Sequence, residues 1–157
     1  MMQHFFFDSS ALAKRYIPEA GTAWVRQITN MKTGFQIVIS EIALVEISNA
    51  IARRRSEGRF SSAMAVSLVN LLMRHASTHY RIYPLDDDVI AQAQQLSLDY
   101  APKLRSLDAI QLACAILMNQ SIVAAQQPPL TFVCADTRLL TVAAAEGMTP
   151  LDPNTMT

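Results

Sequence analysis

Short apolar segments alternate with longer helical patterns along almost the whole of this 157-residue chain. The apolar segments have the length and the β-branched or aromatic content of strands. They cover residues 4–7, 36–39, 81–85, 130–134 and 149–151. Strands separated by helices are joined by right-handed crossovers, which produce a parallel sheet. We therefore predict an α/β fold in which a central parallel sheet is covered by helices on both faces.

The segments between these strands carry helix start and stop signals. We place helix starts at Asp8, Ser40, Ser61, Asp86, Ser106 and Asp136, whose side chains can cap a first turn. Residues 119–129 are polar or small and end in two prolines, so we predict a surface loop there. The length suits one domain. We assign residues 1–152 to it and treat 153–157 as a short frayed tail.

Charge and composition limit the possible functions and the compartment. Thirteen basic residues balance thirteen acidic ones, so any binding of nucleic acid must use local charge. No apolar run reaches the roughly 18 residues needed to span a bilayer, and the N-terminus lacks the pattern of a signal peptide. Cys114 and Cys134 have no CxxC spacing and are predicted to be buried free thiols. We expect a cytoplasmic protein without membrane attachment.

Four acidic residues lie in apolar surroundings: Asp8, Glu46, Asp108 and Asp136. In open parallel sheets, ligands bind outside the carboxyl ends of the strands, and two of these acids follow predicted strands. Converging carboxylates repel each other, and a divalent cation such as Mg²⁺ or Mn²⁺ relieves that repulsion. Each acid also has a structural explanation. Asp8 and Asp136 can be helix caps, and Glu46 can lie on an exposed helix edge. Asp108 can lie in a first helical turn, where the helix dipole stabilises a negative charge.

The order and spacing of these acids carry a family resemblance. The stretches are residues 7–16, 40–50, 106–115 and 132–140, followed by 143–148. The chain resembles PIN-domain ribonucleases, and closely resembles the VapC toxins of bacterial and archaeal toxin–antitoxin pairs. The similarity extends from about residue 4 to residue 152, and the ordered set is far more specific than any single motif.

The resemblance implies a three-layer α/β/α fold and an Mg²⁺- or Mn²⁺-dependent endoribonuclease that leaves 5′-phosphate and 3′-hydroxyl ends. It implies that Asp8, Glu46, Asp108 and Asp136 are the catalytic and metal-binding acids. Ser10 matches a small residue that orients water or phosphate in the family. A hydroxyl at this position can also accept a hydrogen bond from a backbone N–H at the helix start. Relatives usually form homodimers, and an antitoxin segment lying across the active groove inhibits them.

Basic residues cluster close to two of the acids. Four arginines lie between Arg53 and Arg59, and Arg53 is on nearly the same helix face as Glu46. We predict that Arg53 and Lys14 contact RNA phosphates, since Arg and Lys supply much of RNA affinity. A solvated helix C-terminus is the alternative explanation for the arginines.

Two other functions are compatible with parts of the sequence. One is a PIN nuclease of RNA processing that has no antitoxin. The other is a phosphoacceptor signalling domain, which also gathers acids at a sheet edge. That second function requires adjacent acids after the first strand, whereas this chain has Asp8 followed by Ser9. The acids Asp86–Asp88 are better explained as a helix N-terminus.

Overall fold

The computed structural model describes residues 1–157, and a sheet of five parallel strands lies at its centre. The strands are β1 His4–Phe7, β2 Gln36–Ser40, β3 Tyr80–Tyr83, β4 Thr131–Val133 and β5 Thr149–Leu151. Their order across the sheet is β3-β2-β1-β4-β5, so β1 is the central strand. The five predicted strands and the parallel sheet are confirmed.

Seven α-helices cover the two faces of the sheet. The helices are α1 Ser9–Ala13, α2 Thr22–Ile28, α3 Ile42–Ser56, α4 Ser62–Thr78, α5 Asp87–Asp99, α6 Ser106–Ala124 and α7 Thr137–Ala145. Residues of α1 to α4 form one buried cluster with the sheet, and residues of α5 to α7 form the other. The three-layer α/β/α architecture is confirmed.

Side chains of β1 pack alternately into the two buried clusters. Phe6 packs with Phe132 against the layer of α5 to α7, with ring centroids 5.8 Å apart. Phe5 and Phe7 belong to the cluster formed with α1 to α4. A strand covered on both faces has no water-facing side, which explains why its sequence is a continuous apolar run.

Helix α6 is longer than predicted. Residues 119–124, predicted as part of a surface loop, continue the helix to Ala124. Asn119 is buried, and its Oδ1 accepts a hydrogen bond of 2.8 Å from the backbone N–H of Leu130. The side-chain amide of Asn119 therefore satisfies a backbone N–H directly before β4, and its presence does not mark a loop. By length and composition alone, helix α6 could cross a membrane. However, 56% of its most apolar 18-residue stretch is buried inside this fold.

Two of the predicted helix starts are wrong by one residue. Ser40 is the last residue of β2, and Glu41 is the N-cap of α3. Arg105, and not Ser106, is the N-cap of α6. A serine can bond to a distant side chain as well as to its own helix, and the Ser40 hydroxyl does so with Gln111. The side chains of Asp8, Ser61, Asp86 and Asp136 do cap the helices that follow them.

The segment predicted to be a frayed tail is folded over residues 153–155. Pro153–Thr155 form a 3-10 turn in which Pro153 is buried. The turn lies against Gly21, the N-cap of α2, whose φ angle is +85°. A Cβ atom at residue 21 would overlap the carbonyl oxygen of Pro153 and lie 2.9 Å from its carbonyl carbon. Glycine is therefore required at residue 21 for two reasons: it tolerates the positive φ angle, and it leaves room for the backbone of Pro153.

We expect Gly21→Ala to destabilise the protein by about 3 kcal/mol, because it combines positive-φ strain with a clash against backbone. Gly34 is the matched control, since its φ is +72° and no atom lies within 4 Å of a Cβ built there. Gly34→Ala should cost only about 1 kcal/mol. Urea unfolding of both variants measures the difference, and equal losses would mean that the contact with Pro153 contributes nothing.

Candidate active site

Asp8 lies at the carboxyl end of the central strand, where the first helix begins. Asp8 is only 6% exposed. Oδ1 accepts hydrogen bonds from the Ser10 hydroxyl at 2.7 Å and from the Ala11 N–H at 3.0 Å. Oδ2 accepts a hydrogen bond from the Cys134 thiol at 3.3 Å. The capping role and the site role assigned to Asp8 are therefore compatible, because one oxygen serves the helix and the other faces β4.

The charge of Asp8 is not balanced within the protein. Burial raises the pKa of Asp8 to about 6, against the opposing effect of the hydrogen bonds from Ser10, Ala11 and Cys134, and the charge of Glu46 adds to the rise. Neither Asp8 nor Glu46 forms an ion pair with a lysine, arginine or histidine. A buried carboxylate without a positive partner is costly unless a cation or a proton is supplied from outside.

Glu46 lies in the middle of α3, and its carboxylate is held at one oxygen only. Oε1 accepts hydrogen bonds from the Ser9 hydroxyl at 2.7 Å and from the Gln111 amide at 2.8 Å. Oε2 accepts none, so it is available to a ligand. Gln111 was not predicted as a site residue. The one sequence signal for it is an amide inside the most apolar helix of the chain.

Asp108 and Asp136 lie near one arginine, Arg138. The guanidinium of Arg138 donates from Nη2 to Oδ2 of Asp136 at 2.7 Å and from Nε to Oδ1 at 3.2 Å. These bonds keep the pKa of Asp136 below its usual value. Asp136, and to a smaller extent Asp108, raises the pKa of Arg138. Asp108 lies in the first turn of α6, where its Oδ2 accepts from the Arg105 N–H at 3.4 Å.

The four acids are linked into one neighbourhood but are not converged. Cys134 connects two of them, because its thiol donates to Asp8 and its sulfur accepts from the N–H of Asp136 at 3.2 Å. No three side chains of histidine, cysteine, aspartate or glutamate are close enough together to hold a metal ion. The donor set nevertheless fits a hard divalent cation, because it consists of carboxylate oxygens and includes the unbalanced Asp8.

The three predicted substrate contacts differ in their surroundings. Ser10 and Arg53 line one cavity of about 250 Å³ between α1 and α3. Arg53 is exposed and has no acidic partner, whereas Arg54 lies 3.8 Å from Glu57. Lys14 is 4% exposed, and its Nζ lies 3.3 Å from Oε1 of Glu19. The charge of Lys14 is therefore already partnered inside the protein, while that of Arg53 is open to solvent.

Comparison with known proteins identifies the family. A family model of the PIN domain matches residues 5–127, a span that contains Asp8, Glu46 and Asp108 and ends before Asp136. The chain belongs to the PIN domain family. PIN domains are nucleases that generally use divalent metal ions, so the acidic neighbourhood lies in the kind of domain that uses such a site. No curated protein matches this PIN domain in sequence.

Several solved structures, one of them a toxin–antitoxin complex, are similar to this PIN domain in fold. VapBC2 of Rickettsia felis, bound to a DNA fragment from its promoter, has a TM-score of 0.63 at 11% identity and covers 96% of this chain and 98% of its own. FitAcB of Neisseria gonorrhoeae has a TM-score of 0.61 at 15% identity, with coverages of 97% and 99%. A toxin–antitoxin complex of Klebsiella pneumoniae has a TM-score of 0.57 at 16% identity, with coverages of 95% and 97%.

Proposed function

We propose that this PIN domain is a metal-dependent endoribonuclease and the toxin of a type II toxin–antitoxin pair. The observation that carries the proposal is the buried carboxylate of Asp8 at the end of the central strand, with Glu46 near enough for its charge to raise the pKa of Asp8 and no ion pair to balance either acid. A protein that only needed a helix cap at residue 8 would have no reason to bury an unbalanced charge there.

The four acids would bind Mg²⁺ or Mn²⁺, with Asp8 and Glu46 as the most direct ligands through Oδ2 and Oε2. A bound cation of this kind lowers the pKa of a coordinated water and neutralises charge on phosphodiester oxygens. Asp108 would complete the site from the first turn of α6. Asp136 already accepts two hydrogen bonds from the Arg138 guanidinium, so part of its charge is neutralised and it would be a weaker ligand than Asp8. The Ser10 hydroxyl, bonded to Asp8, would orient the water or a phosphate oxygen.

The toxin assignment rests on the sequence resemblance to VapC toxins, and the fold similarity to the toxin–antitoxin complex of Klebsiella pneumoniae and to VapBC2 supports it. We accordingly propose a cytoplasmic homodimer that a cognate antitoxin inhibits. A PIN nuclease of RNA processing is the alternative. A small upstream reading frame with a DNA-binding N-terminus would favour the toxin, and its absence would favour the alternative.

Cleavage of single-stranded RNA tests the proposed activity. We expect endonucleolytic cuts with Mg²⁺ or Mn²⁺ and none after chelation by EDTA, because a cation must balance Asp8 and activate the water. Restoring the cation in excess of EDTA should restore cleavage. Activity that persists unchanged in EDTA would contradict metal dependence, and intact RNA under all conditions would contradict the nuclease assignment.

Arg53→Ala is expected to raise KM for RNA several-fold and to leave kcat nearly unchanged, because Arg53 offers an open charge for a phosphate but no contact with the acids. The plot of log(kcat/KM) against log[salt] should also become less steep by about one unit. Arg59 is the matched control, since it lies on the same segment but 3.7 Å from Glu57. Equal effects of Arg53→Ala and Arg59→Ala would mean that only overall charge matters.

A further inference from the structure

Gln111 connects the two helical layers at the carboxyl edge of the sheet. It belongs to α6, one turn after Asp108, and is 3% exposed. Its Oε1 accepts a hydrogen bond of 2.9 Å from the hydroxyl of Ser40, the last residue of β2. Its Nε2 donates to the Glu46 carboxylate at 2.8 Å and to the Ser9 hydroxyl at 2.7 Å. Both amide hydrogens and the amide oxygen are therefore in use.

This pattern fixes the orientation of the amide. If the side chain of Gln111 were rotated by 180°, its oxygen would face Oε1 of Glu46 and two acceptors would meet. The Ser40 hydroxyl can donate or accept, so it is compatible with this orientation, in which it donates to the amide oxygen of Gln111. The Ser9 hydroxyl accepts a hydrogen bond from Gln111 and donates one to Glu46 at 2.7 Å. Ser9, Glu46 and Gln111 therefore form a closed network of three residues.

We infer that Gln111 is a positioning residue that holds the Glu46 carboxylate by Oε1 and so keeps Oε2 available for a divalent cation. The inference rests on the proposed function of this site and goes beyond it, because Gln111 itself does not touch the cation or RNA. Glu46 is on a helix and only partly buried, so its long side chain would otherwise sample several rotamers. A side chain fixed before binding loses less conformational entropy when the cation arrives.

Two effects of the Gln111 hydrogen bond oppose each other. A donated hydrogen bond withdraws charge from the carboxylate and weakens its attraction for a cation. The same bond restricts the carboxylate to one position. The second effect is the larger one here, because Ser9 donates to the same oxygen and would still withdraw charge in the absence of Gln111, whereas the anchor to Ser40 would be lost. Loss of such partners behind a ligand typically costs 10- to 100-fold in metal affinity.

Calorimetric titration with Mn²⁺ tests the inference in the full chain. We expect Gln111→Leu to bind Mn²⁺ at least ~10-fold more weakly and to lower kcat for RNA cleavage, with KM for RNA unchanged. Asn119→Leu is the matched control, because Asn119 is another buried amide of α6 and bonds to the backbone of Leu130, away from the acids. It should lower the melting temperature and leave Mn²⁺ affinity as in the wild type.

Two further variants separate positioning from general destabilisation. Ser40→Ala removes the anchor of Gln111 without touching Glu46, and it should weaken Mn²⁺ binding by about 3-fold even if Gln111→Leu folds poorly. In a Glu46→Gln background, adding Gln111→Leu should change Mn²⁺ affinity by less than about 2-fold, because the residue that Gln111 positions is already altered.

The outcomes distinguish this inference from the proposed function. If wild-type protein binds Mn²⁺ and cleaves RNA but Gln111→Leu and Ser40→Ala bind Mn²⁺ equally well, the positioning role is wrong and the nuclease assignment stands. If the effects of Gln111→Leu and Glu46→Gln are additive, Gln111 does not act through Glu46. If wild-type protein neither binds Mn²⁺ nor cleaves RNA, both the proposed function and the inference fail.

Discussion

Asp8→Asn is expected to reduce cation-dependent RNA cleavage by a factor of at least ~1,000, because it removes the one buried carboxylate on which the proposed cation site depends. The substitution preserves the shape of the side chain. An asparagine Oδ1 can still accept from Ser10 and Ala11, so the cap of α1 is kept, and the Cys134 sulfur can accept from the new amide N–H. The change is therefore one of charge, with little change in structure.

The measurement compares initial rates on the same RNA at saturating Mn²⁺, together with Mn²⁺ affinity by calorimetry. Asp86→Asn is the matched control, because Asp86 also follows a strand and caps a helix, with Oδ1 accepting from the Val89 N–H at 3.0 Å. It should retain wild-type activity. Asp108→Asn should resemble Asp8→Asn. Undiminished cleavage by Asp8→Asn would remove Asp8 from the site and leave it as a helix cap only.

The sheet could be predicted from the sequence because its strands are covered on both sides. A run such as Phe5 to Phe7 must place alternate side chains into both helical layers, so its apolar character is continuous and easy to recognise. Asp8 could also be predicted, since an acid directly after such a run lies at the ligand-binding edge of a parallel sheet. Both the strand and the position of Asp8 can be recognised from the apolar pattern and from the residues next to it in the sequence.

Side-chain partners could not be predicted in the same way. Ser40 has the composition of a helix cap, yet its hydroxyl bonds to Gln111, which is 71 residues further along the chain. Lys14 was predicted to contact phosphate, but its pairing with Glu19 depends on how the chain turns after α1. Arg138 was assigned no role, although its hydrogen bonds to Asp136 lower the pKa of that acid. Each case depends on a rotamer or a distant contact, which local sequence does not encode.

Without metal, wild-type protein is expected to lose stability relative to Asp8→Asn as the pH rises from 4 to 6.5. The pKa of Asp8 is raised by burial from 3.8 to about 6, so the folded state binds a proton more tightly than the unfolded state does. A group with a raised pKa contributes stability that is present below pH 4 and is lost as the pH passes through 6. The loss is on the order of 3 kcal/mol, at about 1.4 kcal/mol per pKa unit. Asp8→Asn has no such proton to lose, so it should be the more stable protein at pH 7.5.

The difference between the two proteins is the quantity to measure, because other groups also titrate in this range. Burial, and then the charge of Arg15, lowers the pKa of His75 to about 4, so His75 favours unfolding as the pH falls and opposes the trend from Asp8. This contribution is common to both proteins and cancels in the difference. Urea unfolding at pH 4 and pH 7.5 in EDTA should give a small difference at pH 4 and a clearly more stable variant at pH 7.5. Mn²⁺ should reverse the order at pH 7.5, because the cation stabilises only the protein that retains the Asp8 carboxylate. A difference that does not vary with pH would mean that the charge of Asp8 is already balanced within the fold, and the main argument for a cation at this site would be lost.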